Sequence, residues 1–189
     1  MQIIFKTKNM KTFLYSIAFS LFFLSPYSSN ATVKKATNLT EDQAPKITAT
    51  AILDAYLKLK NALVTDNGKN AAAAGNELVK AFAAFDQSKL TALQRKTYSE
   101  IVDDAKEHAE HIGLNASNIP HQREHFDLLS KDIYDITKLL GAGREIYVDR
   151  CPMYNKGKGA IWLSEVKDIK NPYFGKAMST CGAIKETLH

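Results

Sequence analysis

Two groups of side chains in this sequence are suited to coordination chemistry. The first is imidazole. Four of the five histidines fall between residues 108 and 125, as His108, His111, His121 and His125. His108 and His111 are three apart and His121 and His125 four apart, so on helices each pair shares a face. The second group is sulfur. The two cysteines, Cys151 and Cys181, each have a methionine close by, in Cys151-Pro152-Met153 and in Met178-Ser179-Thr180-Cys181. On a helical turn, Met178 and Cys181 point their sulfurs the same way. Thiolate and thioether are soft donors that favour Cu(I), with imidazole an acceptable companion. Methionine is a poor zinc ligand, and the sequence has no CxxC pair of the kind that zinc ribbons use. The same cysteines read just as simply as a disulfide. Linking them would close a loop of about 30 residues, worth roughly 3.6 kcal/mol in the chain-entropy treatment. Both readings stay open at this point. A Cys-His combination also admits a thiol nucleophile, but no oxyanion-hole signature accompanies it, and GxGxxG, P-loop and GxSxG patterns are absent. The expectation is a protein that is not an enzyme and has no catalytic residue.

The elements that must position these groups are helical. Ile52, Tyr56, Leu59 and Leu63 recur at spacings of four, three and four, which predicts a first helix from about Ile47 to Asp66. Asp66-Asn67-Gly68 stops it. Ala71, Ala74, Leu78, Phe82 and Phe85 predict a second helix over about 69–85, whose Ala-rich start is a narrow face that lets a neighbour come close. Thr91 and Gln94 are spaced as a capping box for a third helix, running to about Asn115 with Tyr98, Ile101, Ala105 and Ile112 inward. Asn118 or Ser117 caps a fourth, with Pro120 harmless in its first turn. There Gln122, Phe126, Leu129, Ile133, Ile136 and Leu140 form the inward stripe, and Gly141 and Gly143 end it. Short connections favour an up-down four-helix bundle over residues 47–141. The short loop between the third and fourth helices then brings all four clustered histidines to one end. After Gly143 the character changes. Arg144 to Val148 alternates and reads as extended. Cys151 to His189 is rich in Gly, Pro, Asn and Lys and reads as irregular. The predicted class is therefore all-α, with an irregular Cys/Met-bearing segment, 142–189, packed on the bundle as part of the same domain.

The N-terminus carries Lys6, Lys8 and Lys11, then a twelve-residue apolar run, Phe13–Leu24, then small residues up to Ala31. That order reads as a secretory signal over residues 1–31, followed by a polar linker over 32–46. The run is shorter than the roughly 20 residues a membrane-spanning helix needs. No cysteine stands near the expected cut, so lipoprotein processing is not expected, and no other stretch predicts a span in the mature chain. Loss of residues 1–31 brings the formal charge from +5 to +2. The remaining charges are interspersed, without an Arg-rich stripe, which sets nucleic acid aside. The expected location is the periplasm or the medium, where cysteines meet an oxidising environment.

Length permits the two donor groups to meet. A fourth helix over 118–140 is about 34 Å long. The ten residues from Gly141 to Cys151 span at most about 33 Å extended, enough to run back and deliver Cys151 near the histidine end.

The strings Cys151-Pro152-Met153, Gly159-Ala160-Ile161-Trp162-Leu163-Ser164, Asn171-Pro172-Tyr173-Phe174-Gly175 and Met178-Ser179-Thr180-Cys181-Gly182 resemble the family described as domain of unknown function 3347. In the helical part, Ala109-Glu110-His111-Ile112, His121-Gln122-Arg123-Glu124-His125-Phe126 and Leu129-Ser130 resemble it too. The resemblance spans roughly residues 48–184. It implies an exported protein. Because this domain is also found fused to periplasmic adaptors of copper/silver efflux pumps, it implies copper handling as well. Residue by residue it implies Cys151, Met153, Met178, Cys181, His121 and His125 as metal ligands, with His111 as a further one; His108 and His189 are not among them. The expected function is binding of a copper ion, Cu(I) foremost, for buffering, resistance or delivery to a heavy-metal efflux adaptor. The alternative is an interaction module that docks on an envelope protein and holds a structural Cys151–Cys181 disulfide.

Overall fold

The computed structural model describes residues 49–189. The expected signal segment, the linker and the expected helix start at Ile47 lie outside the described residues.

Four helices follow in chain order: α1 (Thr50–Val64), α2 (Gly68–Ala84), α3 (Ala92–Leu114) and α4 (Ile119–Leu140). Their ends carry the expected chemistry. Thr91 and Gln94 form a reciprocal capping box at the start of α3. The Asn118 side chain accepts the His121 N–H at the start of α4, where Pro120 occupies the first turn. Gly141 ends α4 with φ 84°, a left-handed geometry that suits a residue without Cβ.

Each helix packs on the next, and α1 also touches α4. The inward stripes are those the spacing predicts. Ile52, Tyr56, Leu59 and Leu63, then Ala71, Ala74, Leu78 and Phe82, then Phe126, Leu129, Ile133, Ile136 and Leu140 are all buried. The large aliphatic and aromatic side chains among them contribute about 1.5–3 kcal/mol each when fully buried, so the stripes hold the helices together. Phe85 and Ile101 are only partly buried, at the margin of the core. Gln122 is fully buried in the α4 stripe, and its amide N–H groups reach Gly68 O at 3.0 Å and Ile112 O at 3.1 Å. One side chain thus ties the start of α4 to α2 and α3.

The C-terminal segment corrects the all-α expectation. The extended reading of 144–150 holds as β1 (Ile146–Cys151), but the segment beyond it is not irregular throughout. It contains β2 (Ala160–Ser164) and β3 (Ala183–Leu188), and the three form an antiparallel sheet in the order β2-β1-β3. Asp149 pairs with Trp162 on one side and Ile184 on the other, with a register irregularity between Val148 and Asp149. The chain supplies the hairpin by turning at Asn155, Lys156 and Gly157, all with positive φ.

The sheet lies on α1 and α4. The backbone N–H of Leu163 donates to Tyr56 Oη at 3.1 Å, and the same hydroxyl stands 2.8 Å from Ser130 Oγ. Tyr56 stacks on Phe126 with ring centres 5.2 Å apart. Tyr134 and Lys138 of α4 both bond Glu186 of β3, at 2.8 and 2.6 Å. Among the described residues, no helix is long and apolar enough to cross a membrane.

Candidate functional site

The α3–α4 hairpin does bring the histidines together. The i,i+3 pair of α3 and the i,i+4 pair of α4 face each other across the seam between the helices. Ring nitrogens of His111, His121 and His125 all lie within 4.8 Å of one another, and all three side chains are half-buried. His111 and His125 stack with centres 4.3 Å apart, and His121 meets His125 edge-on at 4.6 Å. His108 stands one turn deeper, its Nδ1 3.2 Å from Nδ1 of His125.

Electrostatics favour the neutral form of two of these rings. Burial, and after it the neighbouring His111, His121 and His108, hold His125 below the ordinary imidazole value. Burial also lowers His108, against the opposing charges of Glu107 and Asp104. Neutral rings keep lone pairs free for a metal. Carboxylates stand at the rim: Glu107 lies 3.8 Å from His111 and Glu124 lies 3.5 Å from His121. Further along the seam, burial and then the charges of Asp104 and Asp135 push the Asp132 carboxyl up to about 6.

The sulfur residues gather separately. Cys151 Sγ and Cys181 Sγ are 2.8 Å apart, and both cysteines are free. Cys151 is fully buried at the end of β1 and Cys181 is part-exposed. Burial alone raises the Cys151 thiol. Hydrogen bonds from Cys181, the Met153 and Tyr154 N–H groups and Asn171 outweigh it and bring the group below the ordinary thiol value. The hydrogen bond with Cys151, and after it burial, pushes Cys181 up to about 11. Of the two thiols, Cys151 is thus the first to give up its proton. Met153 and Met178 are both exposed, at 55% and 37%. Met178 ends a 3-10 helix (Gly175–Met178), and its carbonyl accepts the Cys181 N–H at 3.2 Å, so the expected turn is present. A shallow cleft of about 250 Å³ beside Cys181 is lined by Arg150, Pro152, Gly182, Ala183 and Lys185.

The two groups lie against different sides of α4. At about 100° per residue, Asp127, Ser130 and Tyr134 share one side of that helix, and His121 and His125 the opposite one. The first three bond the C-terminal segment, through Asn155 at 3.4 Å, Tyr173 at 3.4 Å and Glu186 at 2.8 Å. The chain that returns after Gly141 meets Asp127 through Asn155, four residues past Cys151. It arrives on the side away from the imidazoles. The spacing of His108 and His111 already signalled His108 as a member of the cluster. Nothing in the sequence signalled Asp132.

A helical protein with an imidazole cluster between two antiparallel neighbours and a dithiol on the far side is the class these features define. Residues 52–145 match the model of the family described as protein of unknown function (DUF3347), and this chain belongs to that family through its helical part. The match runs from the first turn of α1 through α4, covers the whole histidine cluster and stops before β1. No curated protein and no solved structure matches the chain.

Proposed function

We propose that this is an exported, non-enzymatic metal-binding protein built on an up-down helical bundle, and that it takes a copper ion at His111, His121 and His125. The observation that carries the reading is the convergence of these three ring nitrogens within 4.8 Å, from two helices, in a half-buried seam. Metal–imidazole bonds are about 2.0–2.1 Å, so two ligands of one ion stand up to about 4 Å apart, and small ring rotations bring the set to that geometry. An imidazole set suits copper, zinc and nickel, and among first-row divalent ions copper binds such sites most tightly. Cys151 and Cys181, with the exposed thioethers Met153 and Met178, offer a separate soft set that favours Cu(I). A protein with both sets would buffer copper in either oxidation state and release it to an envelope partner such as a heavy-metal efflux adaptor.

The test is a competition titration of the mature chain, with Cu(II) on the form whose cysteines are oxidised and with Cu(I) on the reduced form, beside His121→Ala/His125→Ala and Cys151→Ser/Cys181→Ser double variants. The expected result is loss of the Cu(II) equivalent in the histidine variant and of tight Cu(I) binding in the cysteine variant. Wild-type binding no tighter than that of either variant overturns the reading.

A second reading is favoured by the 2.8 Å approach of the two sulfurs. In it the cysteines form a structural disulfide and the helices dock on an envelope protein. A quantitative disulfide that survives mild reductant, with no metal after reconstitution, selects it.

A further inference from the structure

His108 belongs to the histidine cluster but not to the three rings whose nitrogens converge. The nitrogens that converge are those of His111, His121 and His125. His108 is engaged instead through Nδ1, at 3.2 Å from Nδ1 of His125, with the two rings tilted by 51° and their centres 5.4 Å apart. Two ring nitrogens at that distance form a hydrogen bond only when one carries the proton and the other a lone pair. Coordination through Nε2 needs one of the two arrangements, and a site built for a metal holds that arrangement before the metal arrives. A histidine that holds a metal through Nε2 must be neutral there and must carry its proton on Nδ1. His125 is then the donor and His108 Nδ1 the acceptor, and the proton of His108 sits on its own Nε2.

We propose that His108 is the positioning residue of the imidazole site: it accepts the Nδ1–H of His125, fixes that ring's tautomer and orientation, and leaves His125 Nε2 for the metal. This rests on the metal-binding reading above. Ligating histidines almost always donate their second N–H to an oriented acceptor, and loss of that acceptor commonly weakens metal affinity 10–100-fold. Here the acceptor is another imidazole, supplied from one turn earlier on the helix that also carries His111. The α3 pair thus divides its work: His111 ligates and His108 orients.

The experiment compares the wild type with His108→Leu and His108→Asn, both first checked for native helicity and melting. Asparagine presents Oδ1 near the place of histidine Nδ1 and accepts the same bond; leucine fills the space and cannot. Nitrogen NMR of the metal-free protein should find His125 as the Nδ1–H tautomer in the wild type and in His108→Asn, and as Nε2–H in His108→Leu. Titration with Cu(II) should show affinity reduced 10–100-fold in His108→Leu and restored to within a few-fold in His108→Asn, with stoichiometry unchanged. The number of imidazoles on bound Cu(II), read by pulsed EPR, should be three in all forms. An Nε2–H His125 in the wild type overturns the inference whether or not metal binds. So does a fourth imidazole that disappears in His108→Leu, which would make His108 a ligand. A wild type with the expected tautomer that binds no metal overturns the metal reading, leaving a hydrogen bond that serves only the packing of α3 on α4.

Discussion

Arg123 and His125 stand two residues apart on α4 and face opposite ways. Arg123 donates to Pro172 O at 2.8 Å and Leu63 O at 3.1 Å, and pairs with Asp66 at 2.6 Å, so it fastens the C-terminal segment to the α1–α2 turn. His125 stacks on His111 of α3. Between them runs the body of the helix. A step of two residues rotates a side chain by about 200°. That rotation separates a structural clamp from a candidate ligand, and it separates the imidazoles from the thiols.

The first prediction follows from that separation. Loading Ni(II), which imidazole also suits and which does not oxidise thiols, on the histidine cluster should leave the rate at which Cys181 reacts with an aromatic disulfide reagent within about twofold of the metal-free rate. The stability losses of His125→Ala and Cys151→Ser should add to within about 0.5 kcal/mol, as for sites without shared partners. Strong protection of the thiols by the metal, or a large coupling energy, would show one joint site.

The second concerns the thiol pair itself. Cys151 and Cys181 lie 30 residues apart in sequence with their sulfurs already adjacent. A small disulfide as oxidant would close the bond by exchange, taking two electrons from the pair and releasing two small thiols. Closing a loop of this length should raise unfolding free energy by about 3–4 kcal/mol. Denaturant unfolding with and without reductant reads it, and Cys181→Ser should abolish the difference. Equal midpoints for the oxidised and reduced wild type would refute it.

The third concerns Asp149, which is fully buried with neither carboxylate oxygen hydrogen-bonded. Trp162 is its partner on β2, and the indole N–H is likewise without a partner; it stands near enough to favour the anion but not in hydrogen-bonding geometry. Burial pushes the Asp149 carboxyl up to about 6, against the Lys60 charge and Trp162. A raised carboxyl favours the fold in its protonated form. Its contribution is present in full below the unfolded value of about 3.9 and is lost as pH rises through about 6. Asp149→Asn should therefore be more stable than the wild type at pH 8, by up to about 2–3 kcal/mol, and should lose that advantage near pH 4. Lys60, also buried, keeps Glu165 at 2.7 Å in the variant and is not left without a partner. Parallel stability–pH curves for the two proteins would exclude this account.

The helices were legible because their period is local. Ile52, Tyr56, Leu59 and Leu63 announce a buried face whatever packs on it, and Thr91 with Gln94 announces a helix start. The histidine end was legible for the same reason, since a short loop leaves α3 and α4 little choice of neighbour. The side on which the thiols arrive was not. It depends on strands paired through backbone groups far apart in sequence, such as Asp149 with Ile184, and β3 is mostly exposed and shows no apolar alternation. Gly, Pro and Asn between the strands signal turns without saying which segments the turns join. Buried Asp149 was hidden too, because a lone carboxylate in an extended stretch reads as the solvent face.

The fourth prediction tests how closely α2 and α3 must approach to hold the imidazoles. A Cβ on Gly75 would stand 2.8 Å from Ala109 O, 3.1 Å from Gly113 N and 3.3 Å from Ile112 Cγ2. Two of these are backbone atoms of α3, in the stretch that carries His108 and His111, and they yield only if the helix moves. In an open helix, Gly→Ala gains about 0.5–1 kcal/mol; overpacking a close contact costs about 1–3 kcal/mol. Gly75→Ala should therefore destabilise by about 1–2 kcal/mol and weaken Cu(II) binding as α3 is displaced. Gly113 supplies the contrast. A Cβ there meets the Asn76 side-chain amide, whose Oδ1 would be 2.5 Å away, and that amide is free to swing aside. Gly113→Ala should be neutral or slightly stabilising and should leave metal affinity alone. Thermal melts and Cu(II) titrations of the two variants decide it: if both behave alike, the close α2–α3 contact at Gly75 does not set the geometry of the histidine cluster.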